Sequence, residues 1–308
     1  MNSNNHSPAR VDVYSIVTQH IIDLLEQGVV PWQKPWTDAG IPMNAKSKRK
    51  YRGINLWMLL SLPYERHLYL TWDQIKEYKG SVKKGEKGHI VVYWRKPKIE
   101  LEVQEEEQSK KEDKQPILRY YKVFNVGQCT DLPETLVPPL EEREIDPLVE
   151  CEAVITKMPQ RPEIRFKHKD AFYHIAEDYI NMPKQKSFQS SELYYATLFH
   201  ELVHSTGHEK RLNRKSVTEM AEFGSELYSI EELIAELGSA YLSSLSGIQN
   251  KNIEHNASYI HGWIGKLMND KRFIIQASGA AQRAVDFILN EQPVPEEAKE
   301  EVEVVTEG

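Results

Sequence analysis

A chain of 308 residues, 40% hydrophobic and 28% charged, has room for one large or two modest domains. No run approaches the roughly 18 apolar residues of a membrane span, and Met1-Asn2-Ser3-Asn4-Asn5-His6 lacks a basic-then-apolar leader. With only Cys129 and Cys151, a disulfide framework is excluded; a cytoplasmic protein with no membrane partner is expected.

The net charge of −7 conceals an asymmetry. Residues 1–98 hold 16 Lys and Arg against 8 Asp and Glu, whereas residues 131–308 hold 18 against 31. A basic front joined to an acidic back predicts that the front meets a polyanion.

In chain order, Val13, Ile16, Val17, Ile21, Leu24 and Leu25 predict a helix over 11–27, stopped by Gly28. Pro31-Trp32-Gln33-Lys34-Pro35-Trp36 predicts extended backbone, because a proline biases its predecessor out of the helix. A basic loop follows, with Lys46, Lys48, Arg49, Lys50 and Arg52 around Tyr51. Next come an apolar helix at 54–61, a strand at 68–70 and a helix from Trp72 to Tyr78 capped by Thr71. Lys83-Lys84-Gly85-Glu86-Lys87-Gly88 forms a basic turn between that helix and a strand at 89–95. Residues 99–115, rich in Glu, Gln and Lys with little apolar content, read as a flexible charged insertion, and a strand resumes at 117–126. The proline-bearing acidic stretch 131–147 reads as a linker.

The second half opens with a helix at 148–158 and two strands at 172–175 and 179–182. Helices are expected at 191–206, 230–246, about 252–269 and about 271–290, and 291–308 reads as an acidic disordered tail. The helix at 191–206 carries His200-Glu201-Leu202-Val203-His204. Residues four apart share a helix face, so both histidines can grip one ion from one side, and Glu201 beside them can take a proton from water. A third histidine six residues after His204 would mark one zinc-peptidase class, but that position is Lys210. The other solution is a Glu on a later helix, and Glu231-Glu232-Leu233-Ile234-Ala235-Glu236 supplies it. Glu232 is the expected ligand; Glu236 orients a ligand histidine or ligates in its place. One Zn2+ per chain is expected, with another divalent metal possible. His208, His174, Tyr259 and His261 are candidates for stabilising a developing oxyanion.

Single-stranded nucleic acid is held by cations along its backbone and by aromatics against its bases. Trp57, Trp72 and Trp94 fall in amphipathic elements and are expected in the core. Trp32, Trp36 and Tyr51 fall in loops and are expected to stack on bases, beside Lys34, Lys48, Arg49, Arg52, Lys83, Lys84 and Lys87. No base-reading motif accompanies them, so binding should be sequence-tolerant and salt-sensitive.

The chain resembles the ArdC-type antirestriction proteins of plasmids and other mobile elements over about residues 8 to 290. The stretches that carry the resemblance run Gly28 to Trp36, Tyr51 to Asn55, Val82 to Gly88, Tyr120 to Val126, Ala171 to Tyr173, Leu198 to His208 and Glu231 to Leu237. The resemblance implies a single-stranded-DNA-binding front, a zincin-like metallopeptidase back, and protection of incoming DNA from host restriction. It places metal ligation on His200 and His204, the general base on Glu201, and the third ligand within Glu232 to Glu236. The 99–115 insertion departs from the family pattern.

The expected fold class is α+β. A mixed α/β nucleic-acid-binding domain (1–130) precedes a linker (131–147) and a mostly helical, gluzincin-type zincin-like domain with a small sheet (148–290). Single-stranded DNA and an unidentified protein substrate are the expected partners. Two rival readings stand beside it: a non-catalytic DNA coat with a structural metal, and a regulatory metalloprotease acting on a DNA-associated repressor.

Overall fold

Asp12 accepts hydrogen bonds from the Tyr14 and Ser15 amides and so opens α1 (Val13–Glu26). Gly28 ends it with φ of +76°, a conformation that costs a side-chain-bearing residue more. The computed structural model describes residues 12–33, 40–95, 116–137, 146–219, 226–248 and 257–292. The 99–115 insertion, Lys34, Trp36, the middle of the 131–147 stretch and residues 293–308 lie outside them.

After α1, Pro31–Gln33 is a 3-10 turn rather than extended backbone. The fixed φ of Pro31 suits the first position of a helical turn equally well, and burial of Trp32 selects it. The front half continues with β1 (Met43–Asn44), α2 (Ile54–Leu60), β2 (Leu68–Thr71), α3 (Trp72–Glu77), β3 (Ser81–Val82), β4 (His89–Arg95), β5 (Ile117–Asn125) and β6 (Cys129–Thr130). Thr71 and Gln74 close a capping box at the start of α3. One sheet has the order β1-β2-β5-β4, and β3 pairs with β6 in a separate two-stranded ladder. β4 and β5 pair antiparallel from His89↔Val123 to Arg95↔Ile117.

The second half comprises α4 (Pro147–Lys157), β7 (Glu163–Arg165), β8 (Phe172–His174), β9 (Tyr179–Asn181), α5 (Ser191–Ser205), α6 (Lys215–Thr218), α7 (Glu226–Leu245), α8 (Ala257–Asn269) and α9 (Phe273–Ile288). A three-stranded sheet has the order β7-β9-β8, with β8 an antiparallel edge. Ser190 caps α5 through the Leu193 amide. α7 packs between α5 and α9. Among the described residues no helix is long and apolar enough to cross a membrane.

The two halves share their largest core, while two smaller buried clusters, one around Leu70, Ile75 and Phe124 and one around Leu59, Tyr69 and Val91, lie apart from it. A single cluster of buried apolar side chains runs from Val17, Ile21 and Leu25 of α1, through Trp32 and Leu56 of α2, to Phe199 and Leu202 of α5, Leu237 of α7 and Ile274 of α9. Polar ties cross the same boundary. Thr18 Oγ1 donates to the Lys271 carbonyl at 2.7 Å, and Arg52 pairs with the buried Asp286 of α9. The lengths of chain on either side of 131–147 pack against each other through that shared cluster.

Candidate metal centre

α5 carries His200 and His204 one turn apart, and α7 brings Glu232 against them. The His200 and His204 Nε2 atoms lie 3.0 Å apart. Glu232 Oε2 stands 3.6 Å from His200 Nε2, and its Oε1 stands 3.6 Å from His204 Nε2. Among the described residues this is the one group of three or more His, Cys, Asp or Glu side chains gathered tightly enough to hold an ion. A tetrahedral zinc site with bonds of about 2.0–2.2 Å places its ligand atoms about 3.4 Å apart. The observed separations bracket that value, and two imidazoles with a carboxylate suit zinc or a neighbouring divalent metal.

What lets α7 come so close is a glycine. A Cβ on Gly238 would stand 2.7 Å from Val203 Cγ2, so any side chain there would push α7 off α5. Gly207, just past the end of α5, works by close approach as well. A Cβ there would lie 2.9 Å from the Val217 Cβ of α6.

Glu201 is buried beside His200, next to the ligand face. Glu236 departs from expectation: it orients neither histidine. It accepts a hydrogen bond from Trp32 Nε1 at 3.2 Å and another from the Tyr259 hydroxyl. Burial pushes the Glu236 carboxyl up, and those neutral donors only partly offset it. One residue before Glu232, Glu231 does what was expected of Glu236, its Oε1 lying 3.2 Å from His204 Nδ1. Arg214 grips Glu231 through Nε at 3.0 Å and Nη2 at 2.5 Å, and Ser216 Oγ donates to it at 2.6 Å. Burial alone would raise the Glu231 carboxyl, but the hydrogen bonds and charges of His204 and Arg214 bring it down to about 2. Glu231 was legible only as one of three acids, because Arg214 lies outside the helix that carries it.

Of the oxyanion candidates, His174 stacks on Tyr179 and its Nδ1 accepts from the Glu177 amide. His208 is buried and accepts from the Lys210 amide, and His261 is exposed. Tyr259 reaches Glu236.

The front-half aromatics are inverted from expectation. Trp32 is 2% and Tyr51 8% exposed, so neither face is open to a base. Trp57 is buried as expected, but Trp72 and Trp94 are 45% and 47% exposed. A loop position says nothing of burial when the loop itself packs under the neighbouring half, as Pro31–Gln33 does. Arg52 is occupied by Asp286, and Lys83 Nζ donates to the Gly127 carbonyl at 2.7 Å. Lys48, Arg49, Lys84 and Lys87 are exposed. Trp72 lies against Phe124 with Lys76 over its ring, and the Gly88 end of the basic turn packs on Phe124 and Lys122. Cations and an open indole thus share one surface.

The zincin-like metallopeptidase family matches residues 150–280, and the family described as the N-terminal domain of anti-restriction factor ArdC matches residues 11–124. Two Escherichia coli proteins named DNA primase TraC are 32% and 31% identical over 89% and 90% of this chain. The chain spans only 26% and 20% of those two longer proteins. Uncharacterized protein y4eC of Sinorhizobium fredii (strain NBRC 101917 / NGR234) is 30% identical, with 91% of this chain and 92% of that protein covered. The crystal structure of the antirestriction ArdC protein from the R388 plasmid in its Mn(II)-bound form superposes with a TM-score of 0.71 at 34% identity. That match covers 91% of this chain and 98% of the other. The metal-free form gives 0.71 and 35% over 92% and 100%. Two family matches in the same order, and a solved relative matched along nearly its whole length, place the chain in the ArdC antirestriction family.

Proposed function

We propose that the chain holds one divalent ion, zinc foremost, between His200, His204 and Glu232 and hydrolyses a peptide bond there. On the same reading the front half binds single-stranded DNA without sequence preference, and the protein shields transferred DNA from host restriction in the cytoplasm. The observation that carries the hydrolytic part is the convergence of two Nε2 atoms and one carboxylate with Glu201 buried alongside. A bound divalent ion supplies a Lewis acid that polarises a carbonyl and lowers the pKa of water. Glu201 accepts the proton of the attacking water and delivers it to the leaving amine. Glu201 is buried on the same helix as both histidines, directly after His200. β8, an edge strand in contact with α5, offers unpaired backbone groups to an extended peptide.

Glu201→Gln tests the reading. It should leave metal content at the wild-type level and lower peptide hydrolysis by about 10²–10⁴-fold, with loss of protection against restriction in a conjugation assay. Unchanged protection would move the function onto DNA coating alone.

A further inference from the structure

We infer that Glu231, held by Arg214 and Ser216, is the positioning residue of the metal site: it fixes the tautomer and ring angle of His204. This rests on the metal-binding reading above.

A carboxylate can only accept from an imidazole N–H. The 3.2 Å contact between Glu231 Oε1 and His204 Nδ1 therefore puts a hydrogen on Nδ1, and in the neutral ring, the form that ligates a metal, this leaves the lone pair on Nε2, the atom that faces His200 and Glu232. Rotation about the Cβ–Cγ bond would break that contact, so the bond also sets the ring plane.

Glu231 is itself immobile. It is 5% exposed, and Arg214 engages both oxygens, Oε2 through Nε at 3.0 Å and Oε1 through Nη2 at 2.5 Å. Ser216 Oγ adds a third donor at 2.6 Å. Arg214 is anchored in turn on the metal helix, donating from Nη2 to the Val203 carbonyl at 2.9 Å and from Nη1 to Thr206 Oγ1 at 2.5 Å. The result is a closed circuit: α5 carries His204, α7 carries Glu231, and Arg214 ties Glu231 back to the end of α5. Glu231 and Glu232 are neighbours in sequence, so the circuit also sets where Glu232 meets the two imidazoles.

The first test needs no substitution. Imidazole ¹⁵N NMR of metal-free wild type, followed with rising pH until the His204 ring is neutral, should show the Nδ1–H tautomer; a dominant Nε2–H tautomer would overturn the inference. Co(II) titration of full-length variants tests the consequence. Glu231→Gln keeps an oxygen acceptor and should bind within about threefold of wild type. Glu231→Leu removes the acceptor and should bind about 10–100-fold more weakly, with a shifted Co(II) visible band. Glu231→Leu with Arg214→Met removes the orphaned charge as well. It should recover melting temperature while metal affinity stays weak. Recovery of both would make Glu231 a fold clamp only and would end the inference. His204→Ala is the control for the underlying site. If it binds Co(II) like wild type, the metal reading fails independently of Glu231.

Discussion

On α7, Glu232 turns one carboxylate oxygen to each imidazole, while Glu236, one turn later, accepts from Trp32 and Tyr259. Identical side chains at helical spacing meet opposite surroundings, because α5 passes one and the Pro31–Gln33 turn passes the other. The juxtaposition in the α5 pentad was legible since it is local: side chains at i and i+4 of one helix share a face wherever the helix lies. The role of Glu231 was not, since it is set by Arg214, 17 residues earlier in sequence. Trp32 and Trp72 exchanged places for the same reason, burial being a property of what lies across from a residue.

A second ion pair at this scale, between Arg211 and the half-buried Asp178, has a measurable pH signature. Burial raises the Asp178 carboxyl, but hydrogen bonds from Arg211 and Tyr173 outweigh it and hold the group below its ordinary 3.8. With the folded value below the unfolded one, the pair contributes fully above about pH 3.8 and is lost as pH falls through the folded value. Asp178→Asn should lower the melting temperature by a constant amount near neutrality. Below about pH 4 the two curves should converge, as followed by circular dichroism. Curves that stay parallel down to pH 2 would contradict the assignment.

At the scale of elements, the site exists because two helices touch without a side chain between them. The helices at 191–206 and 230–246 were legible in the sequence, and the structure extends the second back to Glu226. Their contact was not legible, because Gly238 inside a helix reads as a weak point until its neighbour Val203 is known. β1, β3 and β6, two residues each, have no periodicity to detect; their partners, such as Ser81↔Thr130, are distant in sequence. Gly238→Ala inserts a methyl into that contact and should cost about 1–3 kcal/mol. It should weaken divalent-metal binding by at least tenfold, measured by isothermal titration, because Glu232 retreats from the histidines. A variant that melts lower but binds metal as wild type would show that the helix separation does not set the ligand geometry.

For the whole molecule, composition foretold a basic front and an acidic back, and the fold divides its ladders accordingly. It did not foretell that α1, Trp32 and α2 bury themselves against α5, α7 and α9. The DNA-binding reading consequently moves to what the front half leaves open: Trp72, Lys76 and Lys122 beside the turn that bears Lys84 and Lys87. Lys84→Glu with Lys87→Glu should weaken oligo(dT) binding and reduce the slope of log affinity against log salt by about 1.4. Trp72→Ala should weaken binding with little change in slope. An unchanged slope in the double variant would place the phosphates elsewhere.

Three side chains from two helices are proposed to hold the ion, with Glu232 rather than Glu236 as the third. Metal content by mass spectrometry on wild type, Glu232→Gln and Glu236→Gln tests this most directly. About one divalent ion per chain is expected in wild type and Glu236→Gln, and its loss in Glu232→Gln. Metal retained in Glu232→Gln and lost in Glu236→Gln would contradict it.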